Sequence, residues 1–241
     1  LTIDRLQAFL GLPYTTKEGI SVYSPTVHEI GEIGYLNYLV NLALVGFDKE
    51  KILVGLFGLD KKSFSNIKNE SDYDVLIEVP SIRNEICKAL SFFVKGHVSF
   101  NIETSCFLLD GKDFINKSNY KEFDLVIKEL NVSSNSQEKI EAANSTAEEF
   151  YRRMQMYESQ INNNNTDNQL EFKDILSILC NFEGNGINIF NVGSLTVYQV
   201  YEHFERVNKK ENYNRLLPVW SNEKTLPEDN SIPEWMEKTK L

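Results

Sequence analysis

The chain commits to a helix where Thr26 is placed to accept from the free amides of a new helical turn and Glu29, three residues on, can reach back to the Thr26 amide. Such a capping box, set just ahead of an apolar run, fixes where a helix starts and which face it buries. Val27, Ile30, Tyr35, Tyr38 and the apolar residues up to Val45 then predict one long helix over 27–45. Similar punctuation recurs along the chain. Ile3, Leu6, Phe9 and Leu10 have helical spacing and stop at Gly11 and Pro13. Asp48 is placed to cap a segment over 49–57 that ends at Gly58, and Ser71 to cap a helix from Asp72, with Pro80 interrupting or kinking it. Ile82, Ile86, Ala89, Leu90, Phe93 and Val94 form an amphipathic stripe ending near Gly96. Further helices are predicted over 123–130 and 172–182. Ser194 is expected to open the last one, over 195–213, with Val197, Tyr201 and Phe204 on one stripe.

Strand signals are fewer. Residues 14–23 predict a hairpin around Lys17-Glu18-Gly19, closed by Ser24-Pro25. Residues 97–102 alternate, and 106–109 and 112–115 flank Asp110-Gly111, a pair suited to a primed turn. The expected fold class is therefore mainly α with a minor antiparallel β component, an α+β helical domain with small hairpins. Three regions are expected: an N-terminal helical lobe with small hairpins over 1–131, a polar connection over 132–168, and a C-terminal helical lobe with a tail punctuated by Pro218, Pro227 and Pro233 over 169–241. The connection carries a predicted protruding helix over 146–161, with Phe150, Met154, Tyr157 and Ile161 at helical spacing, then an Asn-rich run over 162–165.

With 41% hydrophobic and 12% aromatic residues, 241 residues can build a proper core. Asp and Glu outnumber Lys and Arg by 35 to 25, for a net charge of -10, so nothing favours nucleic acid or an anionic membrane as a partner. Cys87, Cys106 and Cys180 are far apart, which indicates neither a disulfide framework nor a zinc site and fits a reducing cytoplasm. Asp4 near the start, with no long apolar stretch after it, argues against a secretory signal. The longest apolar run, 36–47, is interrupted by Asn37, Asn41 and Gly46 and is too short to span a bilayer.

One segment imitates an enzyme signature. Leu56-Phe57-Gly58 followed by Ser71-Asp72-Tyr73-Asp74 looks like a small nucleotidyltransferase, where an Asp-x-Asp pair would hold magnesium. Leu59 stands where that signature has Ser, and Lys61-Lys62-Ser63-Phe64 replaces its glycine-rich loop. The plainer reading makes Asp72 and Asp74 first-turn helix acids. His28, His97 and His203 are isolated from other metal-binding residue types, and Gly184-Asn185-Gly186 reads as a turn. No catalytic, cofactor-binding or metal-ligating residue is expected. Tyr198, Tyr201 and Phe204 form either core or a partner-binding face, while Lys209-Lys210-Glu211 reads as a solvated helix end. Trp235 and Met236, in a Pro-rich terminus, must dock on their own domain or on another chain. The partner-binding candidates are thus Tyr198, Tyr201, Phe204, Trp235 and Met236.

Three stretches in order resemble a group of bacteriophage proteins from Gram-positive hosts assigned to tail assembly. They are Ile3-Asp4-Arg5-Leu6 through Ser24-Pro25-Thr26-Val27-His28-Glu29-Ile30 with Tyr35 and Tyr38; Ser71-Asp72-Tyr73; and Leu195-Thr196-Val197-Tyr198-Gln199-Val200-Tyr201 with Asn212-Tyr213 and Trp235-Met236. The resemblance implies a non-enzymatic tail assembly chaperone in the host cytoplasm, holding tape-measure or tail-tube subunits, with self-association into a homo-oligomer left open. The runner-up reading is a structural virion component of the tail or baseplate. A degenerate or active nucleotidyltransferase ranks behind both.

Overall fold

The computed structural model describes residues 3–132, 170–220 and 235–239, so the expectations for 133–169, including the protruding helix and the Asn-rich run, lie outside the described residues. Asp4 accepts from the amides of Leu6 and Gln7 and starts α1 (Arg5–Phe9). The first hairpin forms as expected from β1 (Tyr14–Thr15) and β2 (Ser21–Val22), with Tyr14 opposite Val22. The Thr26–Glu29 box is complete: Thr26 Oγ1 accepts from the Glu29 amide at 3.2 Å, and Glu29 Oε2 accepts from the Thr26 amide at 2.8 Å.

The helix after that box is shorter than the periodicity implies. α2 (Val27–Ile33) stops at Gly34, where φ of +85° and ψ of 136° turn the chain, and α3 (Tyr35–Val45) begins at once. Glycine reaches this conformation without a Cβ clash, and the Asn37 side chain donates to the Ile33 carbonyl at 2.7 Å, satisfying a group the break would otherwise orphan. The single helix over 27–45 is thus two.

Asp48 accepts from the Lys51 amide at 3.0 Å, as its position suggested, but the segment it starts closes into a π-helix over Lys51–Leu56. Asp60 caps α4 (Lys61–Ile67), which falls outside the elements expected. Ser71 caps α5 (Asp72–Glu78), and after the extended Val79, Pro80 opens a new helix, α6 (Pro80–Val94), where its missing N–H costs nothing. All six residues of the predicted stripe on α6 are buried.

β3 (Val98–Asn101), β4 (Cys106–Leu109) and β5 (Lys112–Ile115) form an antiparallel sheet in that order, with Val98 opposite Leu109 and Phe107 opposite Ile115. Asp110 and Gly111 have φ of +48° and +82°, the two positive values that a primed turn requires. α7 (Tyr120–Leu130) and α8 (Phe172–Asn181) follow, then a 3-10 turn over Val192–Ser194 and α9 (Val197–Trp220). Ser194 lies inside that turn and does not open the last helix. Thr196 does, in a second capping box: its Oγ1 accepts from the Gln199 amide at 3.3 Å while Gln199 Oε1 accepts from the Thr196 amide at 2.9 Å.

The fold is α+β, mainly helical with two small antiparallel sheets among the described residues. One buried apolar cluster runs from Ile3 to Val207. At its centre Phe47, Tyr73, Phe107 and Tyr120 meet with ring centroids 5.4–6.1 Å apart, in range for favourable aromatic contacts. The Tyr73 hydroxyl reaches the carbonyls of Ser105 at 2.8 Å and Ile115 at 3.2 Å, fastening α5 to the sheet. Burial pushes its ionisation far above the usual tyrosine range, so it stays a donor.

Candidate interaction surfaces

Of the five residues the sequence offered as partner-binding, Tyr198 is core, 2% exposed, with its amide donating to Ser24 Oγ at 3.2 Å. Tyr201 and Phe204 are half-buried against that core, Tyr201 meeting the Phe172 ring at 6.1 Å between centroids. The stripe on α9 thus faces inward first, because helices α8 and α9 have to cover each other. Trp235 is half-buried and Met236 is 76% exposed.

Those last two belong to a tail that folds back on α1 and α9. Arg206 donates to the carbonyls of Trp235 at 2.9 Å and Glu237 at 2.8 Å, and Lys209 donates to the carbonyl of Lys238. Arg5 reaches the hydroxyl of Thr239, which is buried. Lys209, read from sequence as part of a solvated helix end, is instead a ligand of this tail; a lysine's neighbours in sequence say nothing about a chain segment that returns from elsewhere.

The enzyme lookalike acquires a different geometry. Leu56 ends a π-helix rather than a strand, and Asp72 and Asp74 sit in the first turn of α5. Asp72 faces Lys49 at 3.5 Å and Asp74 pairs with Lys117, so each carboxylate already has a cation. Residues 51–78 do not form the strand and turn that would cradle a nucleotide phosphate. Among the described residues no cluster of three or more His, Cys, Asp or Glu could hold a metal ion, and no helix is long and apolar enough to cross a membrane.

A half-open groove of about 800 Å³ lies between α3, the π-helix, α6 and β3. Val40, Leu44, Leu56, Phe57, Val98 and Phe100 make its floor, while Ser81, Asn84, Glu85 and Lys88 of α6 make a polar rim. Glu85 and Lys88, one turn apart on α6, pair along that rim at 2.7 Å. The Arg83 guanidinium stacks over the Phe100 ring, 4.7 Å from its centre, and donates to the Ile77 carbonyl, which holds that wall in place. Cys87 also lines the groove, and burial pushes its thiol up, away from thiolate reactivity. No sequence signal marked this groove, since apolar residues on α3 and α6 read equally well as core.

Fold and surfaces together define a mainly helical α+β protein with an apolar groove and a tail docked on its own body. A family model described as the YomV second domain matches residues 161–240, and that similarity supports a phage-related protein. No curated protein and no solved structure matches the chain.

Proposed function

We propose that this protein is a non-enzymatic phage tail assembly factor, a chaperone that holds tape-measure or tail-tube subunits in the host cytoplasm before they polymerise. The match of residues 161–240 to a phage-type domain carries the reading, and the resemblance of three ordered segments to tail assembly proteins narrows it. The groove supplies a physical means. An amphipathic client helix can lay its i, i+3, i+4 apolar residues against Val40, Leu44, Phe57 and Phe100 while its polar side meets the rim of α6. A net charge of -10 opposes self-aggregation of the loaded complex.

The test is affinity capture of the tagged protein from phage-infected cells with mass spectrometry of what comes with it. Tape-measure or tail-tube protein is expected in the wild-type eluate, and depleted when Val40→Glu and Phe57→Ser place charge and polarity in the groove floor. Recovery of no tail protein would sink the proposal. Stoichiometric presence of the protein in purified particles would instead make it a structural tail or baseplate subunit.

A further inference from the structure

Residues 184–194 carry no charge in a chain that is 25% charged, and they hold two large apolar side chains out in water. Phe190 is 96% exposed and Ile189 74%. The loop is fixed by three asparagines: Asn185 donates to the Leu179 carbonyl at 2.8 Å, Asn191 donates to the Gly186 carbonyl at 2.9 Å, and Asn188 accepts from the Phe190 amide at 2.9 Å. Ile187 and Val192 bury its base in the core. An aromatic side chain presented by a fixed loop gives up little freedom when it enters a pocket, so this one is an anchor that its own fold leaves unseated.

The same chain carries a groove of matching character. Its floor offers the Phe57 and Phe100 rings to meet a third ring, and about 800 Å³ is room for whole side chains. The Glu85 and Lys88 charges on its rim cancel, so the uncharged loop approaches it without opposing a like charge, although each copy carries -10. The loop does not reach the groove of its own chain. The groove opens along the first half of α6, from Ser81 to Lys88, whereas the 3-10 turn at the end of the loop packs on α2. α2 and the strand before it meet the far end of α6, where Lys95 pairs with Glu29 and the Tyr23 amide donates to the Phe93 carbonyl at 2.9 Å. Helix rise alone separates Glu85 from Lys95 by about 15 Å.

We infer that two copies of the chain close on one another, with Phe190 and Ile189 of each seated in the groove of the other. One insertion covers about 500 Å² of loop and groove together, less than a specific interface needs, and two reciprocal insertions reach about 1,000 Å². Area therefore favours a closed pair, in which each copy gives and receives the same contact, over a chain of single head-to-tail contacts. The inference stands on the loop and the groove and not on the assembly role proposed above. Where both hold, the second copy and a client helix compete for one groove.

Sedimentation velocity on the purified full chain, over a concentration series, tests this without any phage component, so either proposal can fail alone. The wild type is expected to pass from monomer to dimer. Phe190→Asp charges the loop and Asn84→Trp fills the groove mouth, and each is expected to weaken association at least roughly tenfold. Both positions are exposed, and unchanged circular dichroism checks that the fold is kept. An equimolar mixture of the two variants regains one intact insertion, Phe190 of the Asn84→Trp copy in the open groove of the Phe190→Asp copy. It is expected to form more dimer than either variant alone at the same total concentration. A wild type that stays monomeric throughout overturns the inference and leaves the loop to a different protein or a lipid surface. A dimer indifferent to Phe190→Asp overturns it by placing the interface elsewhere. A mixture no better than its components overturns it by showing that the loops do not enter the grooves.

Discussion

Lys49 is 6% exposed, a rare place for an ammonium group, and it is kept there by what it binds. Its Nζ donates to the carbonyl of Lys68 at 2.9 Å and to that of Glu70, and faces Asp72 at 3.5 Å. The first of these closes α4, whose carbonyl end is the negative pole of the helix. Lys49→Met keeps the apolar stem but leaves both carbonyls without their cation, and is expected to cost about 2 kcal/mol in a urea titration. Asp72, 39% exposed, can turn to water, so Asp72→Asn is expected to cost under about 1 kcal/mol. Equal losses would make the ion pair, not the carbonyls, the anchor. Asp124 is the opposite case. Burial raises its carboxyl above the ordinary value, with Asp48 adding to the shift and Lys128, 2.6 Å away, and Lys51 opposing it; Asp124 Oδ1 is buried without a hydrogen bond. A carboxyl whose folded pKa is raised contributes stability in full below its unfolded pKa and loses it as pH rises through the folded value. Asp124→Asn is therefore expected to unfold at higher urea than the wild type at about pH 7, with the gap closing toward about pH 4. A gap that widened on acidification would contradict a buried, disfavoured carboxylate.

Two helices begin back to back. Thr26 with Glu29 starts α2 and Thr196 with Gln199 starts α9, and the two starts pair as an antiparallel bridge: Val27 donates to the Leu195 carbonyl and Val197 to the Pro25 carbonyl, both at 2.9 Å. Ser24 adds a cap to α9 from across the bridge. Each of Thr26→Ala and Thr196→Ala is expected to cost about 1 kcal/mol. Because fraying one start also loosens the bridge that orders the other, the double variant is expected to fall short of the sum by about 0.5 kcal/mol or more. Urea titrations of the four proteins measure that difference, and strict additivity would make the starts independent. The same pair of starts shows what could be read without coordinates. Thr26 and Glu29 lie within one turn of each other, and the six-residue stripe on α6 repeats locally, so both were legible, as was the Asp110-Gly111 turn. Local spacing favours Ser194 over Thr196, because the chain partner that selects Thr196, Pro25-Thr26, is remote in sequence. The break at Gly34 was hidden by apolar spacing that continues through it. The groove was hidden for a related reason: whether Val40 and Phe57 are core or surface depends on what fails to pack over them, which periodicity does not report.

A family match confined to 161–240 suggests a C-terminal part that stands alone, yet the packing says it leans on the rest. The Phe172 ring of α8 stacks on Tyr35 at 5.2 Å with the planes 2° apart. Val197, Tyr198 and Val200 of α9 are buried in the same cluster as Ile30 of α2 and Phe93 of α6. The first amides of α9 are satisfied by Pro25 and Ser24, and Gln199 donates to the carbonyl of Phe9 at 2.8 Å. Cut at 169, α8 and α9 would keep one another but lose the apolar surface and the caps that the first 131 residues provide, and a helix pair of that size rarely buries enough to offset its chain entropy. The whole chain is accordingly expected to melt in one transition, with calorimetric and van't Hoff enthalpies in agreement. A fragment of residues 169–241 is expected to give the far-ultraviolet circular dichroism of a largely unfolded chain and to gain helix when mixed with a fragment of residues 1–168. A fragment of 169–241 that melts sharply on its own would show that the shared core is a docking interface between two independently folding parts, and that the caps from Ser24 and Pro25 are dispensable to α9.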